Sequence, residues 1–144
     1  MSSQYQIAQV NISYAVDSLK SETFADFHEL ALVMDGLARR SEGFVWRLEY
    51  MFDDPEDPYF LNISVWETVE ALRRFTYQGD HAAALRCGRK WFRPPQGVHS
   101  ALWWVPAGVL PDFDDGRTRL ATLKAKGPSA DAFTFRRLFP APTT

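Results

Sequence analysis

Residues 60–66 read FLNISVW and residues 67–92 read ETVEALRRFTYQGDHAAALRCGRKWF, and the change of period between the two decides the fold. In the first segment Leu61, Ile63 and Val65 alternate with Phe60, Asn62, Ser64 and Trp66, the two-residue repeat of a strand whose two faces are both in use. One face is aliphatic, the other aromatic and polar. After Trp66 the repeat becomes helical, with Val69, Leu72 and Phe75 or Thr76 on one side and Glu67, Glu70, Arg73 and Arg74 largely on the other. Gly79 breaks this helix, and Asp80 is placed to cap a second one by accepting from free backbone N–H groups of its first turn. On that second helix His81 shares a stripe with Ala84, Leu85, Gly88 and Phe92, while Arg86, Arg89, Lys90 and Arg93 turn mostly to water. The spacing therefore directs His81 inward.

Working outward, residues 5–12 alternate as a first strand, and Ser21 opens a capping pattern before Phe27, Leu30, Ala31, Met34, Leu37 and Ala38 recur at helical spacing. Gly43 introduces an aromatic-rich strand at residues 44–52, and the acidic turn DDPEDP at residues 53–58 joins it to the FLNISVW strand as an antiparallel hairpin. A fourth strand covers residues 100–105. The order strand, helix, strand, strand, broken helix, strand is that of an α+β, ferredoxin-like antiparallel sheet with helices on one face, occupying residues 1–106.

Residues 107–144 are richer in Pro, Gly and Asp and too short for a core of their own, so they read as an extension packing on the core or on a partner subunit. Asp114 or Asp115 is placed to cap a helix running through Leu120 and Leu123, ended by Gly127 and Pro128; Phe133, Phe135 and Phe139 then need a surface to cover. The second face of the sheet has the same need. Trp46 and Leu48 lie on one side of the second strand and Val45 and Met51 on the other. At about 25 cal/mol per Å² of apolar surface, leaving several hundred Å² wet forgoes roughly 10 kcal/mol, as much as a domain's whole stability. A homodimer joined sheet against sheet is the first expectation, cover by the C-terminal segment the second.

Composition narrows the function. The chain has 144 residues, 46% of them hydrophobic and 15% aromatic, enough for one domain with a full core. A net charge of -2, with basic residues scattered apart from Arg86 to Arg93, carries no footprint for nucleic acid. Cys87 is the single cysteine, which excludes an internal disulfide and a cysteine zinc cluster and suits a reducing cytosol. No apolar run approaches the ~20 residues that span a bilayer, and no signal segment opens the chain, so a cytoplasmic protein with no membrane partner is expected. The three histidines, His28, His81 and His99, lack ligand spacing for a metal site, and no nucleophile elbow, P-loop or dinucleotide fingerprint is present.

Several stretches, YQIAQVNI, SEGFVWRL, NISVWETVEALRRF, His81 with KWF behind it, LWWVPAG and AFTFRRLFP, together resemble the domain-of-unknown-function family DUF3291 across nearly the whole chain. The resemblance implies a dimeric α/β barrel related to the antibiotic-biosynthesis-monooxygenase group, whose superfamily includes chlorite dismutase-like and heme-degrading members. It implies no established reaction. Family members often carry a histidine directly after VPAG, where this chain has Val109.

The residues themselves suggest a site. An imidazole facing a pocket between helix and sheet can act as a base near neutral pH, hydrogen-bond a carbonyl, or ligate heme iron; alternatively His81 is a buried histidine satisfied by a backbone carbonyl or by Asn62 or Ser64. Asn11, Arg47, Asn62 and Ser64 are its candidate partners, although a one-residue register change would exchange their faces. Arg47 can anchor a carboxylate or phenolate, or pair with Glu49 or an acid of a partner subunit. Of the five tryptophans, Trp66 and Trp91 flank the broken helix and are the first choices for pocket walls, with Trp46, Trp104 and Phe75 as further candidates; filling the core is the alternative for each.

Three functions follow. The first is a cofactor-independent monooxygenase-like enzyme, or an isomerase or cyclase, acting on an aromatic or polyketide-like molecule, with His81 as base, Asn62 and Arg47 stabilising the anion, and Trp66 and Trp91 enclosing it. The second is a non-catalytic dimeric ligand-binding or accessory protein, favoured by Val109. The third is a heme-binding protein with His81 as ligand, disfavoured by the lack of a basic pair for the propionates.

Overall fold

The structure of the chain, a computed structural model, describes residues 4–16, 22–54, 56–77, 91–94 and 97–142. Strands β1 (Tyr5–Tyr14), β2 (Phe44–Phe52), β3 (Tyr59–Trp66) and β4 (Ser100–Pro106) form one antiparallel sheet in the order β2-β3-β1-β4. Helix α1 (Ala25–Arg39) follows β1 and helix α2 (Val69–Tyr77) follows β3, and the fold is α+β and ferredoxin-like. A third helix, α3 (Phe113–Lys126), comes after the sheet is complete.

Local chemistry explains the boundaries. The capping position expected at Ser21 lies outside the described residues; α1 is entered through a 3-10 turn at Glu22–Phe24, and Phe24 supplies no side-chain cap. Helix α2 is capped by Thr68, whose hydroxyl accepts from the Ala71 N–H at 3.1 Å. Gly43, at φ 83°, turns the chain into β2; a Cβ there would come within 2.5 Å of the Ala71 Cβ, so only glycine permits this approach to α2.

The cap of α3 corrects the expectation of Asp114 or Asp115. Asp112 is the N-cap, its carboxylate accepting from the Asp115 N–H at 2.8 Å, and Asp115 returns the bond to the Asp112 N–H at 2.9 Å. A reciprocal box satisfies two free donors at once, which a cap at either later aspartate would not. Gly127, at φ 73°, ends the helix as expected.

Register sorts the side chains by face. On one face Ala8, Val10, Leu61, Ile63, Val65, Ala101, Trp103 and Val105 form a buried apolar layer, and α3 lies on it through Leu123, with Leu120 and Phe113 beside it. The approach is close: a Cβ on Gly116 would stand 2.9 Å from both Ile63 and Val10. Part of this face is thus covered by the chain's own C-terminal segment, through α3. The extension also guards an edge, because Phe133 exchanges two backbone hydrogen bonds with Leu102 of β4, at 2.8 and 2.9 Å.

One side chain departs from the alternation. A bulge between Phe44 and Trp46 inserts Val45, so Val45 packs with Trp46 toward α3 rather than with Met51, while Phe44 joins the opposite face beside Trp66.

Candidate functional site

The face covered by α1 and α2 is built in cross-strand rows. At one end Phe44, Trp66, Ile7 and Trp104 are register partners across all four strands; at the other Met51 pairs with Phe60, which is opposite Ser13. Each end is apolar. Ala38, Ala71, Leu72 and Phe133 close over the first, with Phe75 at its side, and Phe27, Ala31 and Trp91 close over the second. Between them lie two rows of a different chemistry: Arg47, Ser64, Gln9 and Leu102, then Glu49, Asn62, Asn11 and Ser100. A polar belt therefore crosses the sheet between two aromatic clusters.

The belt is covered in its first row and half-buried in its second, where Glu49, Asn62, Asn11 and Ser100 keep some exposure. Gln9 and Ser64 are each 6% exposed, the two buried polar residues among the described ones. Burying amide and hydroxyl groups costs free energy unless they are bonded, and the Gln9 Nε2 donates to Ser100 Oγ only at 3.5 Å, the outer limit of such a bond. Arg47, with 9% of its side chain exposed, donates from Nη2 to Glu49 Oε2 at 2.7 Å and sets Nη1 3.6 Å from Asp35 Oδ1 of α1. Arg39 in turn donates to Asp35 at 2.8 Å. Burial pushes the Glu49 carboxyl above the usual carboxylate range; Arg47 opposes this, and Asp35 adds to it.

Two buried donors of this face have no hydrogen-bond partner among the described residues, Arg47 Nη1 and Trp66 Nε1. Trp66 is 0% exposed, with its ring 5.0 Å from that of Phe75 and 5.5 Å from that of Phe44. Unmet donors are uncommon in folded interiors, and two beside one polar belt suit an acceptor-bearing ligand.

Of the residues singled out from sequence, the structure brings Asn11, Arg47, Asn62 and Ser64 together in the belt, with Trp66 and Phe75 at one end and Trp91 in the cluster at the other. Trp104 shares the row of Trp66, but its Nε1 donates to Phe139 O at 2.8 Å, so its polar edge serves the C-terminal segment. Trp46 is a correction: it points to the α3 face and does not join the site, because β2 alternates and Arg47 takes the other side. His81 lies outside the described residues, as do Gly79, Asp80 and Cys87. Val109 is 53% exposed in the turn after β4, beyond the row of Trp104.

Asp35 was not anticipated. Its signal was legible, a carboxylate four residues from Ala31 and three from Ala38 on the buried stripe of α1, where an unpaired charge would be costly. Among the described residues no three His, Cys, Asp or Glu side chains gather as metal ligands, and no helix is long and apolar enough to cross a membrane.

The chain matches the family described as Domain of unknown function (DUF3291) over residues 6–144. It belongs to that family. No curated protein matches this DUF3291 chain in sequence. Among solved structures, SnoaB, described as a cofactor-independent oxygenase from Streptomyces nogalater, is similar at a TM-score of 0.52 and 21% identity, over 74% of this chain and 98% of that one. A protein of unknown function from Nitrosomonas europaea is similar at 0.52 and 18% identity, over 76% and 97% of the two chains. A Pseudomonas aeruginosa protein, PA3566, gives 0.52 and 14%, over 76% and 99%. At these identities the likeness establishes the shared ferredoxin-like fold of the DUF3291 chain.

Proposed function

We propose that this DUF3291 protein binds a small aromatic or polyketide-like molecule between its sheet and α1 and α2, and oxidises it as a monooxygenase-like enzyme without a bound flavin or metal. The observation that carries this reading is the polar belt, a strip of hydrogen-bonding groups set between two aromatic clusters on a covered face. The fold shared with an oxygenase described as cofactor-independent is compatible with it.

The chemistry asks little of the protein. His81, which the sequence sets on the apolar stripe just beyond α2, takes a proton from an activated CH2 of the substrate. The resulting anion passes an electron to dioxygen, and the radical pair combines to form a C–O bond. The proton returns to the peroxide, whose outer oxygen leaves as water with the carbon's second hydrogen. One oxygen atom stays as a carbonyl. The CH2 loses four electrons and dioxygen gains four. Asn62 and Arg47 stabilise the anion, and Trp66 and Trp91 close the two ends against water.

Oxygen uptake with 1,8-dihydroxyanthrone tests this. Wild type should consume oxygen, and His81→Ala should lower the rate about 100-fold or more, the usual contribution of a positioned base. Absent uptake, or uptake indifferent to the substitution, contradicts the reading. Val109, in place of the histidine that often follows VPAG in the family, favours a second reading, a binding protein that holds the same ligand without turning it over. Under that reading the anthrone binds and no oxygen is consumed.

A further inference from the structure

The ion pairs at the β2 end of the belt are charge-balanced as they stand. Arg47 lies between two carboxylates, Glu49 on its own strand and Asp35 on α1, and Arg39 holds Asp35 from the far side. Two cations meet two anions. Arg47 nevertheless keeps Nη1 buried and without a hydrogen-bond partner among the described residues, on a side chain that is nine-tenths covered. A guanidinium held by two acids ordinarily spends its forked N–H groups on them. Here one N–H remains for something else.

What that something is follows from the charges. A ligand carboxylate would bring a third anion to two cations beside the covered Arg47, an uncompensated charge that a half-buried site disfavours. A neutral hydroxyl brings none. If its proton passes to Glu49, one carboxylate disappears as one oxyanion forms, and the network stays balanced throughout. Glu49 is suited to this, since it lies beside Arg47 and is the register partner of Asn62, whose amide can donate to the same oxygen.

We propose that Glu49 and Arg47 form a hydroxyl-ionising subsite, so that the substrate is a neutral hydroxylated aromatic bound through that hydroxyl at the β2 edge of the belt. The substrate O–H bond breaks, its proton goes to a Glu49 carboxylate oxygen, and the electron pair left on oxygen is held by Arg47 Nη1–H. Glu49, made neutral, loosens its hold on Arg47 as the new oxyanion takes its place. Asp35 keeps the guanidinium in position. This deepens the oxygenase reading and rests on its choice of site, because an anionic ring is the form that gives an electron to dioxygen. Burial, opposed by Arg47 and Arg39 and reinforced by Asp35, holds the Glu49 carboxyl above the usual carboxylate range and so nearer to a phenol in proton affinity.

The probe is 1-naphthol, whose neutral and anionic forms differ in ultraviolet absorbance, with 1-methoxynaphthalene as the partner that cannot ionise. Bound to wild type, 1-naphthol should be at least ten-fold more acidic than in water. In weak buffer with a pH indicator, wild type should release no proton to solution, since Glu49 keeps it; E49Q, left with two cations facing Asp35 alone, should bind the anion and release one proton to solution, and both proteins should hold 1-methoxynaphthalene equally. Naphthol that binds wild type neutral, fails to bind it, or ionises with the same proton release in both proteins overturns the subsite. This absorbance needs no turnover, so the subsite and the oxygenase reading fail separately: ionised naphthol without anthrone oxidation leaves the subsite and removes the oxygenase.

Discussion

The two faces of this sheet share four strands and differ in almost every other respect. Toward α3 the strands present Ala8, Val10, Leu61, Ile63, Val65 and Trp103, all buried, on a helix so close that Gly116 has no room for a Cβ. Toward α1 and α2 they present aromatic ends with a polar belt between, where Arg47 Nη1 and Trp66 Nε1 lack hydrogen-bond partners among the described residues. The first face is what folding alone would select, since apolar burial is the main stabilising term. The second sets amides, hydroxyls and charges where aliphatic groups would stabilise more. Gln6 Oε1, buried without a partner, lies toward α3 as well, but the charges and the rows of amides and hydroxyls are gathered on the other face and point to function there.

Substitutions sharpen or break that contrast. The largest effect is expected from Trp103→Ala on the α3 face, a loss of about 3–5 kcal/mol for a buried aromatic, seen as a lower urea midpoint. A loss under about 1 kcal/mol would mean that α3 does not seal this face. Gly116→Val should come next, at roughly 1–3 kcal/mol, because its side chain would press on Ile63 and Val10. A neutral outcome would place the helix farther from the sheet. Asp112→Ala removes the capping box and should cost about 0.5–2 kcal/mol in the same measurement.

On the belt, Ser64→Ala should change stability by less than about 1 kcal/mol, since exchanging one small hydroxyl for a methyl hydrogen leaves the packing of this buried position nearly unchanged. Its effect should appear instead as weaker binding of 1-naphthol. A large loss of stability there would recast the belt as a structural network. The smallest effect concerns pH. The folded Glu49 carboxyl sits above its unfolded value, so its contribution to stability is fully present below the ordinary carboxylate range and fades as pH rises through the raised value. Relative to Glu49→Gln, wild type should therefore lose ground in denaturation midpoints as pH rises above the ordinary carboxylate range. The opposite slope would show that the ion pair with Arg47 outweighs burial.

Much of the fold was legible because its signals are local. The alternation in FLNISVW separates Asn62 and Ser64 from Leu61 and Ile63, and β3 runs Tyr59–Trp66 with those residues on opposite faces. The β2 to β3 hairpin and the glycine that ends α3 followed equally from short-range chemistry. Three features were not legible for reasons of the same kind. A bulge leaves no mark in the residue pattern, so strict alternation puts Val45 on the side of Met51 and does not pair Phe44 with Trp66. The choice between Asp112 and its neighbours depended on which aspartate completes a reciprocal pair. Trp46 stands among the sequence candidates because a tryptophan at a strand position says nothing of which face it takes until the register is known. Within the belt, Asn62, Ser64, Arg47 and Asn11 were identified by residue type, while Asp35 required the packing of α1 on β2.

The tryptophans offer the most direct test of the claim that the α1 and α2 face holds the ligand. Each of the five indole N–H groups gives its own signal in a nitrogen–proton correlation spectrum, assignable by single Trp→Phe variants. On titration with 1-naphthol the Trp66 signal should move, its buried N–H having no partner among the described residues, while those of Trp103 and Trp46 on the α3 face stay in place. Movement of Trp103 and Trp46 with Trp66 unchanged would put the ligand on the other side of the sheet and contradict the account.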